Sequence, residues 1–263
     1  MYAFNYERPA NLAAAQALLA AGGNALAGGQ TMIAAMKQRL QQPVTVVDLG
    51  AISTLAGIRK EGNNLVIGAM TRHQDVADNA EVRQHIPALA ALADGIGDKQ
   101  IRTMGTLGGS VANNDPAACY PSAVLALGAT VHTDKRTIAA DDFFQGLYTT
   151  ALDTGELITA ISFPIPQKAA YAKFRQPASR FALVGVFVAQ TAGGARVAIT
   201  GAGNGVFRHV GLEAALNGSF TPEAVTKVAI DAGDLNADLH ASAAYRAHLI
   251  TVQTQRAVKQ ANG

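Results

Sequence analysis

The apolar positions of this chain change period several times, and each change marks an element. Leu12, Ala15 and Leu19 fall at i, i+3 and i+7, which predicts an amphipathic helix. Asn11 stands as its N-cap, and Gly22-Gly23 end it. Residues 25–27 read as a short strand, 32–40 as a helix with Thr31 as candidate N-cap, and 44–49, after Pro43, as a β-branched strand. Farther on, 65–69 predicts a strand and 88–93 a helix that stops near Gly95. Residues 121–127 read as helix, 129–133 as extended chain and 156–164 as a strand. Pro164 and Pro166 then mark a boundary. Beyond it, 171–176, 183–191 and 195–200 predict three antiparallel strands with turns at Pro177 and Gly193-Gly194. Helical segments follow near 209–216, 222–231 and 241–260. The fold class is α+β, with one domain over 1–166, divided at about 52/53, and a small α+β domain over 167–263.

Two glycine pairs punctuate the first domain. One is Ala27-Gly28-Gly29-Gln30-Thr31. The other lies in Thr106-Leu107-Gly108-Gly109-Ser110, which runs on to Asn114-Asp115-Pro116. Glycine has no Cβ, so its amide approaches a ligand closely and takes positive φ. The first pair sits between a predicted strand and a helix N-terminus, where free N–H groups and the helix dipole favour an anion. Two such loops predict two walls of one site gripping a long anionic ligand, a dinucleotide held without a Rossmann motif. The hydroxyls of Thr106 and Ser110 suit phosphate or ribityl oxygens, and Asp115 suits a sugar hydroxyl or a ring N–H. The competing reading of Asn114-Asp115-Pro116 is a cap for the next helix.

Two decoys resolve differently. Gly201-Ala202-Gly203-Asn204-Gly205 follows a predicted strand, but its third glycine comes one residue early and no well-placed acid follows, which argues against NAD there. Residues 171–180 interleave basic and aromatic side chains. In a chain of net charge +2 this reads as strand alternation, not a nucleic-acid surface.

Charged residues make up 15% of the chain, against roughly 25% in typical soluble domains, which predicts surface reserved for partners. The single cysteine, Cys119, excludes a disulfide and a four-cysteine iron–sulfur cluster within the chain. It reads as a small apolar residue and fits a reducing compartment, so a cytoplasmic location is expected. The Ala/Leu-rich run at 12–21 has no basic n-region before it, since Glu7 and Arg8 cancel, and no apolar stretch approaches the roughly 20 residues of a membrane span. The six histidines never fall at metal-ligand spacing, so no metal site is expected. With no nucleophile elbow and no paired carboxylates, the chemistry is left to a cofactor.

At these motifs the chain resembles the medium, FAD-binding subunit of the molybdenum hydroxylases, the xanthine dehydrogenase/carbon monoxide dehydrogenase family. The resemblance rests on Ala27 to Thr31, on Gln100-Ile101-Arg102-Thr103-Met104-Gly105-Thr106-Leu107-Gly108-Gly109-Ser110, and on Asp115-Pro116. It runs from Tyr6 to about Lys259 and includes the opening Phe4-Asn5-Tyr6-Glu7-Arg8-Pro9. It implies a two-part FAD-binding domain of the vanillyl-alcohol-oxidase (PCMH) type, then a small domain with a three-stranded antiparallel sheet and helices. It assigns the pyrophosphate to the first loop, from Ala27, Gly28, Gly29, Gln30 and Thr31 through Met32, Ile33, Ala34 and Ala35, and to Thr106, Gly108, Gly109 and Ser110. Ile101 belongs to the same run, Asp115 would contact the cofactor, and Ala69 and Thr71 would lie at a strand end near FAD. Leu183 or Val184 would approach the isoalloxazine, with Lys173 or Arg180 at the flavin edge. Some relatives carry a cysteine-bearing insertion for a further cluster, absent here. Residues 180–183 read Arg-Phe-Ala-Leu where many relatives place an aspartate.

The function implied is electron transfer within a complex. A large subunit would hold the molybdenum cofactor, and a small subunit with two [2Fe–2S] clusters would deliver electrons to this chain's FAD. The chain would pass them to NAD, a quinone, oxygen or another acceptor. The readings left open are a stand-alone FAD-dependent oxidoreductase of the same fold and an assembly subunit without flavin.

Overall fold

The computed structural model describes residues Met1–Gly263. The N-terminal part is a parallel three-stranded sheet. β1 (Asn5–Glu7) leads to helix α1 (Leu12–Ala20), β2 (Asn24–Leu26), α2 (Met32–Lys37) and β3 (Thr45–Asp48), in the order β1-β3-β2. The Asn11 side chain accepts from the Ala14 N–H at 2.9 Å, so it caps α1 as read from the sequence. Thr31 does not cap α2: its backbone is already helical and its side chain makes no capping bond. α2 ends at Lys37, not Leu40, because Arg39 turns to φ 62°.

The middle of the chain builds a five-stranded antiparallel sheet, order β4-β5-β10-β6-β7. It uses β4 (Ile58–Glu61), β5 (Asn64–Gly68), β6 (Thr130–Thr133), β7 (Thr137–Ala139) and, later, β10 (Ile158–Pro164). Between β5 and β6 run six helices: α3 (His73–Asp78), α4 (Ala80–His85), α5 (Pro87–Asp94), α6 (Lys99–Met104), α7 (Leu107–Asn113) and α8 (Tyr120–Ala126). After β7 come the short helix α9 (Ala140–Phe143) and a hairpin of β8 (Phe144–Gly146) and β9 (Thr149–Thr150). The second glycine loop is therefore the first turn of α7, which the sequence did not suggest. Glycine costs about 1 kcal/mol against alanine inside a helix; here Thr106 caps that turn, its Oγ1 accepting from the Gly109 N–H at 3.2 Å.

The C-terminal part has four strands, not three: β11 (Lys168–Arg175), β12 (Ala182–Thr191), β13 (Gly194–Thr200) and the two-residue β14 (Phe207–Arg208). Ala198 and Ile199 pair with Arg208 and Phe207, which adds the fourth strand at the edge. Helices α10 (Val210–Gly218) and α11 (Ala243–Asn262) follow. The helix expected over 222–231 shrinks to one 3-10 turn, Pro222–Val225. Val225 is buried, and Val228, Ile230 and Leu235 pack on the same core from irregular chain, so those apolar positions need no helix.

β12 explains its own unbroken apolar run. Phe187 and Ala189 face a core shared with the central sheet and its helices, while Leu183, Val184, Val186 and Val188 face the core under α11. A strand covered on both faces loses the alternation of a half-exposed one. No helix is long and apolar enough to cross a membrane.

Candidate functional site

The two glycine pairs are brought face to face. A Cβ placed on Gly28 would lie 2.7 Å from the Gly105 Cα, and one on Gly109 would lie 3.4 Å from the Ala27 Cβ. The second pair is positioned by a zipper of main-chain bonds to the end of β5. The His73 N–H donates to Gly105 O at 2.9 Å, the Leu107 N–H to Thr71 O at 3.0 Å and the Gly108 N–H to Ala69 O at 2.8 Å. Gly108 must be glycine for this fit, since its Cβ would lie 2.5 Å from that of Ala69.

Beside this junction opens a cavity of about 560 Å³, within the range of small-molecule and cofactor sites. Its walls come chiefly from the first glycine loop, the chain between the end of β5 and His73, the segments around α6 and α7, residues 152–158, and the turn between β11 and β12.

The two pairs do not present amides equally. The N–H groups of Ala27, Gly28, Gly29, Gln30 and Thr31 donate to no acceptor in the chain. Gly29 has φ 72°, which reverses the chain here, and the Gln30 side chain folds back to donate to Gly28 O at 2.9 Å. Successive free amides beside a helix start form a seat for an anion. At the second pair the amides are committed: Gly108 to Ala69, Gly109 to the Thr106 hydroxyl, Ser110 to the Thr106 carbonyl at 3.1 Å. The first pair thus leaves its main-chain nitrogens free, while those of the second already have partners within the chain. The second pair's glycines supply close packing, and Ser110 lines the cavity.

Of the other expected residues, Met32, Ala69, Ile101, Thr106, Asp115, Lys173 and Arg180 also line the cavity. Ile33, Ala34 and Ala35 do not. They lie within the first turn of α2, with Ile33 folded over Gly29. Thr71 does not line it: its Oγ1 is held by the N–H and C=O of Gly57 at 3.0 and 3.1 Å. Leu183 and Val184 do not, being buried on the α11 side of β12. Asp115 serves both readings at once. Its Oδ1 accepts from the Ala117 N–H at 2.8 Å, its Oδ2 from the Tyr148 hydroxyl at 3.2 Å, and it still faces the cavity.

Lys173 ties the turn to the helical wall. Its Nζ donates to Gly95 O at 2.6 Å and to Arg180 O at 3.1 Å, and Arg180, at φ 62°, reaches Gly97 O at 3.3 Å. Cys119 lies 3.4 Å from the same Nζ, buried in the cavity wall. Glu156 also borders the cavity, but Arg136 binds both its oxygens at 2.9 and 3.0 Å. Chiefly that contact holds its carboxyl down at about 2.

Sequence reasoning missed His73 and Phe181. His73 lines the cavity while only 5% exposed. Burial, helped by the Arg102 charge, lowers its pKa to about 4, so the ring is neutral near pH 6.5 and above. Its signal was its place two residues past Thr71, in a segment already tied to the site. Phe181 lines the cavity while 48% exposed; an aromatic residue in a Pro/Ser-containing turn was the available clue.

Comparison with known proteins shows the family and its cofactor. Residues 2–166 match the family described as FAD binding domain in molybdopterin dehydrogenase. The chain belongs to this family. Its cofactor is FAD, and it is a flavoprotein subunit of the molybdenum-containing dehydrogenase and hydroxylase type. This FAD-binding chain is 39% identical over 203 residues to the carbon monoxide dehydrogenase medium chain of Afipia carboxidovorans, covering 73% of this chain and 70% of that one. It is 33% identical to the nicotine 6-hydroxylase medium subunit of Paenarthrobacter nicotinovorans, over 98% of this chain and 97% of that one. It superposes on a chain of reconstituted CO dehydrogenase from Oligotropha carboxidovorans with a TM-score of 0.92 and 34% identity, covering 99% and 98%. The cavity suits the group: a run of free amides for its phosphates, a hydroxyl at Ser110, and largely apolar walls for flat rings.

Proposed function

We propose that this subunit takes electrons from the [2Fe–2S] clusters of a small subunit and passes them to an external acceptor. The source would be a substrate oxidised on a molybdenum-bearing large subunit. The acceptor would be NAD, a quinone, oxygen or another carrier. FAD supplies the chemistry, because it exchanges electrons singly or in pairs. The chain's own part is to hold that group: the Ala27 to Thr31 amides receive the pyrophosphate, Thr106, Gly108, Gly109 and Ser110 form the opposite wall, and Asp115 faces the nucleotide. Lys173 and the turn carrying Arg180 and Phe181 border the flavin end. The five unpaired amides of the first glycine loop, whose residues line the cavity, carry this reading.

Its layout would be the two-part PCMH-type domain over 1–166, split near 52/53, with 167–263 packed against it. The partner requirement is supported by apolar side chains left in solvent around β1: Tyr2, Phe4, Tyr6, Leu40 and Val44 are 38–75% exposed. Relatives named as medium chains are by that name parts of larger assemblies. A cytoplasmic location goes with this reading.

The test is a visible absorption spectrum of the natively purified complex, with mass spectrometry of its chains. Flavin, cluster absorption and two further polypeptides are expected. A flavin-free chain, or steady-state turnover by the isolated chain, would overturn it.

A further inference from the structure

A second cleft opens at the free edge of β11, where α5 and α11 both pack on that strand. It measures about 260 Å³ and shares Lys173 with the cofactor cavity, from which it is otherwise separate. Its charged side chains are Lys173, Arg175 and Arg256; no Asp or Glu lines it. Lys173 is engaged by the carbonyls of Gly95 and Arg180, but Arg175 and Arg256 form no ion pair. Gln253, in the same wall, is 1% exposed, and its Nε2 donates to nothing.

The cleft thus gathers three cationic side chains and a buried amide donor with no carboxylate among them, and the unpartnered Tyr171 hydroxyl also lines it. Arg175 and Arg256 reach the cleft from solvent, and the buried Gln253 amide donor without a partner raises the energy of the folded chain. Guanidinium groups match the paired oxygens of phosphate and carboxylate. A phosphoryl group, with up to three free oxygens and nearly two charges, uses donors arriving from a strand and a helix better than a planar carboxylate does. At about 30 Å³ per water, the cleft has room for a phosphoryl group and its substituents.

The geometry points to a phosphoryl-binding site in this cleft, formed by Arg175, Arg256 and Gln253, for a small phosphorylated molecule distinct from the FAD. It does not depend on the electron route proposed above. Its ligand would lie beside Lys173, which borders both cavities and bonds Gly95 O.

The probes are inorganic phosphate and ADP-ribose, titrated calorimetrically into the FAD-containing complex at ionic strength fixed with chloride. Saturable binding is expected, and the Arg175→Ala/Arg256→Ala double variant should weaken it by about tenfold or more. Gln253→Glu should weaken it too, by setting a carboxylate against the ligand. Flavin content should stay at the wild-type level in all variants, which separates this site from the FAD site. Tighter binding of ADP-ribose than of phosphate identifies a nucleotide ligand, and equal binding a lone phosphoryl group. No saturable binding of either probe by the wild type, or unchanged affinity in the double variant, overturns the proposal. Loss of a partner chain from the double variant with phosphate binding intact also overturns it, because the arginines would then belong to a protein interface.

Discussion

Gly28 is seated directly on Met104. A Cβ on Gly28 would collide with the Met104 carbonyl oxygen and lie 2.9 Å from its carbonyl carbon. The first glycine loop is thus held against the chain that leads into the second, and the absence of one methyl group sets the spacing of the cavity walls.

Gly28→Ala must push the loops apart, because the obstacle is backbone. Overpacking of this kind costs about 1–3 kcal/mol. FAD affinity should fall by roughly tenfold or more, read as flavin retained after gel filtration against free flavin. Gly109→Ala meets a hydroxyl at 2.9 Å and a methyl at 3.4 Å and should be milder. Equal flavin retention in the two variants would refute the seating argument.

Gly29 tests the free amides. Its φ of 72° is a conformation that L-residues reach at a cost of about 1–2 kcal/mol, and its Cβ would also lie 2.5 Å from the Ile33 Cδ1. Gly22, at φ 92° with nothing within 4 Å, is the control, since Gly22→Ala brings the strain without touching the site. Both variants should lower the unfolding midpoint, but only Gly29→Ala should lose flavin. Flavin loss from both would mean that stability, not loop shape, governs retention.

Lys173→Met removes the ammonium that joins Gly95 O to Arg180 O and leaves a side chain of similar length. The turn carrying Ser179, Arg180 and Phe181 should loosen over the cavity. FAD release, followed with an excess of apoflavodoxin as trap, should quicken by about tenfold, since charged hydrogen bonds are worth about 1.5–3 kcal/mol. An unchanged release rate would remove the turn from the cofactor's hold.

The form of the first loop was legible because it is local: a strand, two glycines and a helix start are adjacent in sequence, and the fold leaves their amides free. The second was misread as a loop because what makes it a helix is distant, the Ala69 backbone receiving Gly108 and the Thr106 hydroxyl completing the first turn. Leu183 and Val184 come to the isoalloxazine only through the resemblance, and the apolar run they stand in carries no sign of which residue faces which core. The fourth strand, two residues long, had no period to read. His73 is polar by composition yet buried by tertiary packing, with its ring centroid 5.2 Å from that of Tyr120.

That burial gives the protein an acid-sensitive step. His73 takes a proton only near pH 4 in the folded chain, against 6.5 ordinarily, because its ring is desolvated and the Arg102 charge opposes the proton. A folded-state pKa below the unfolded value means that the unfolded chain binds the extra proton between 6.5 and 4. Stability therefore falls as pH drops through that window, by at most about 3 kcal/mol for this group. Glu156 acts lower down. Its carboxyl, held near 2 by Arg136, supports the fold above its ordinary 4.5 and loses that support as pH falls from 4.5 towards 2. The two windows scarcely overlap, so they can be separated. Urea midpoints measured from neutral pH down to 4.5 should decline in the wild type and decline much less in His73→Gln, whose side chain cannot titrate. The same decline in both would show that the acid response above 4.5 has another origin and that His73 is not the buried neutral group described here.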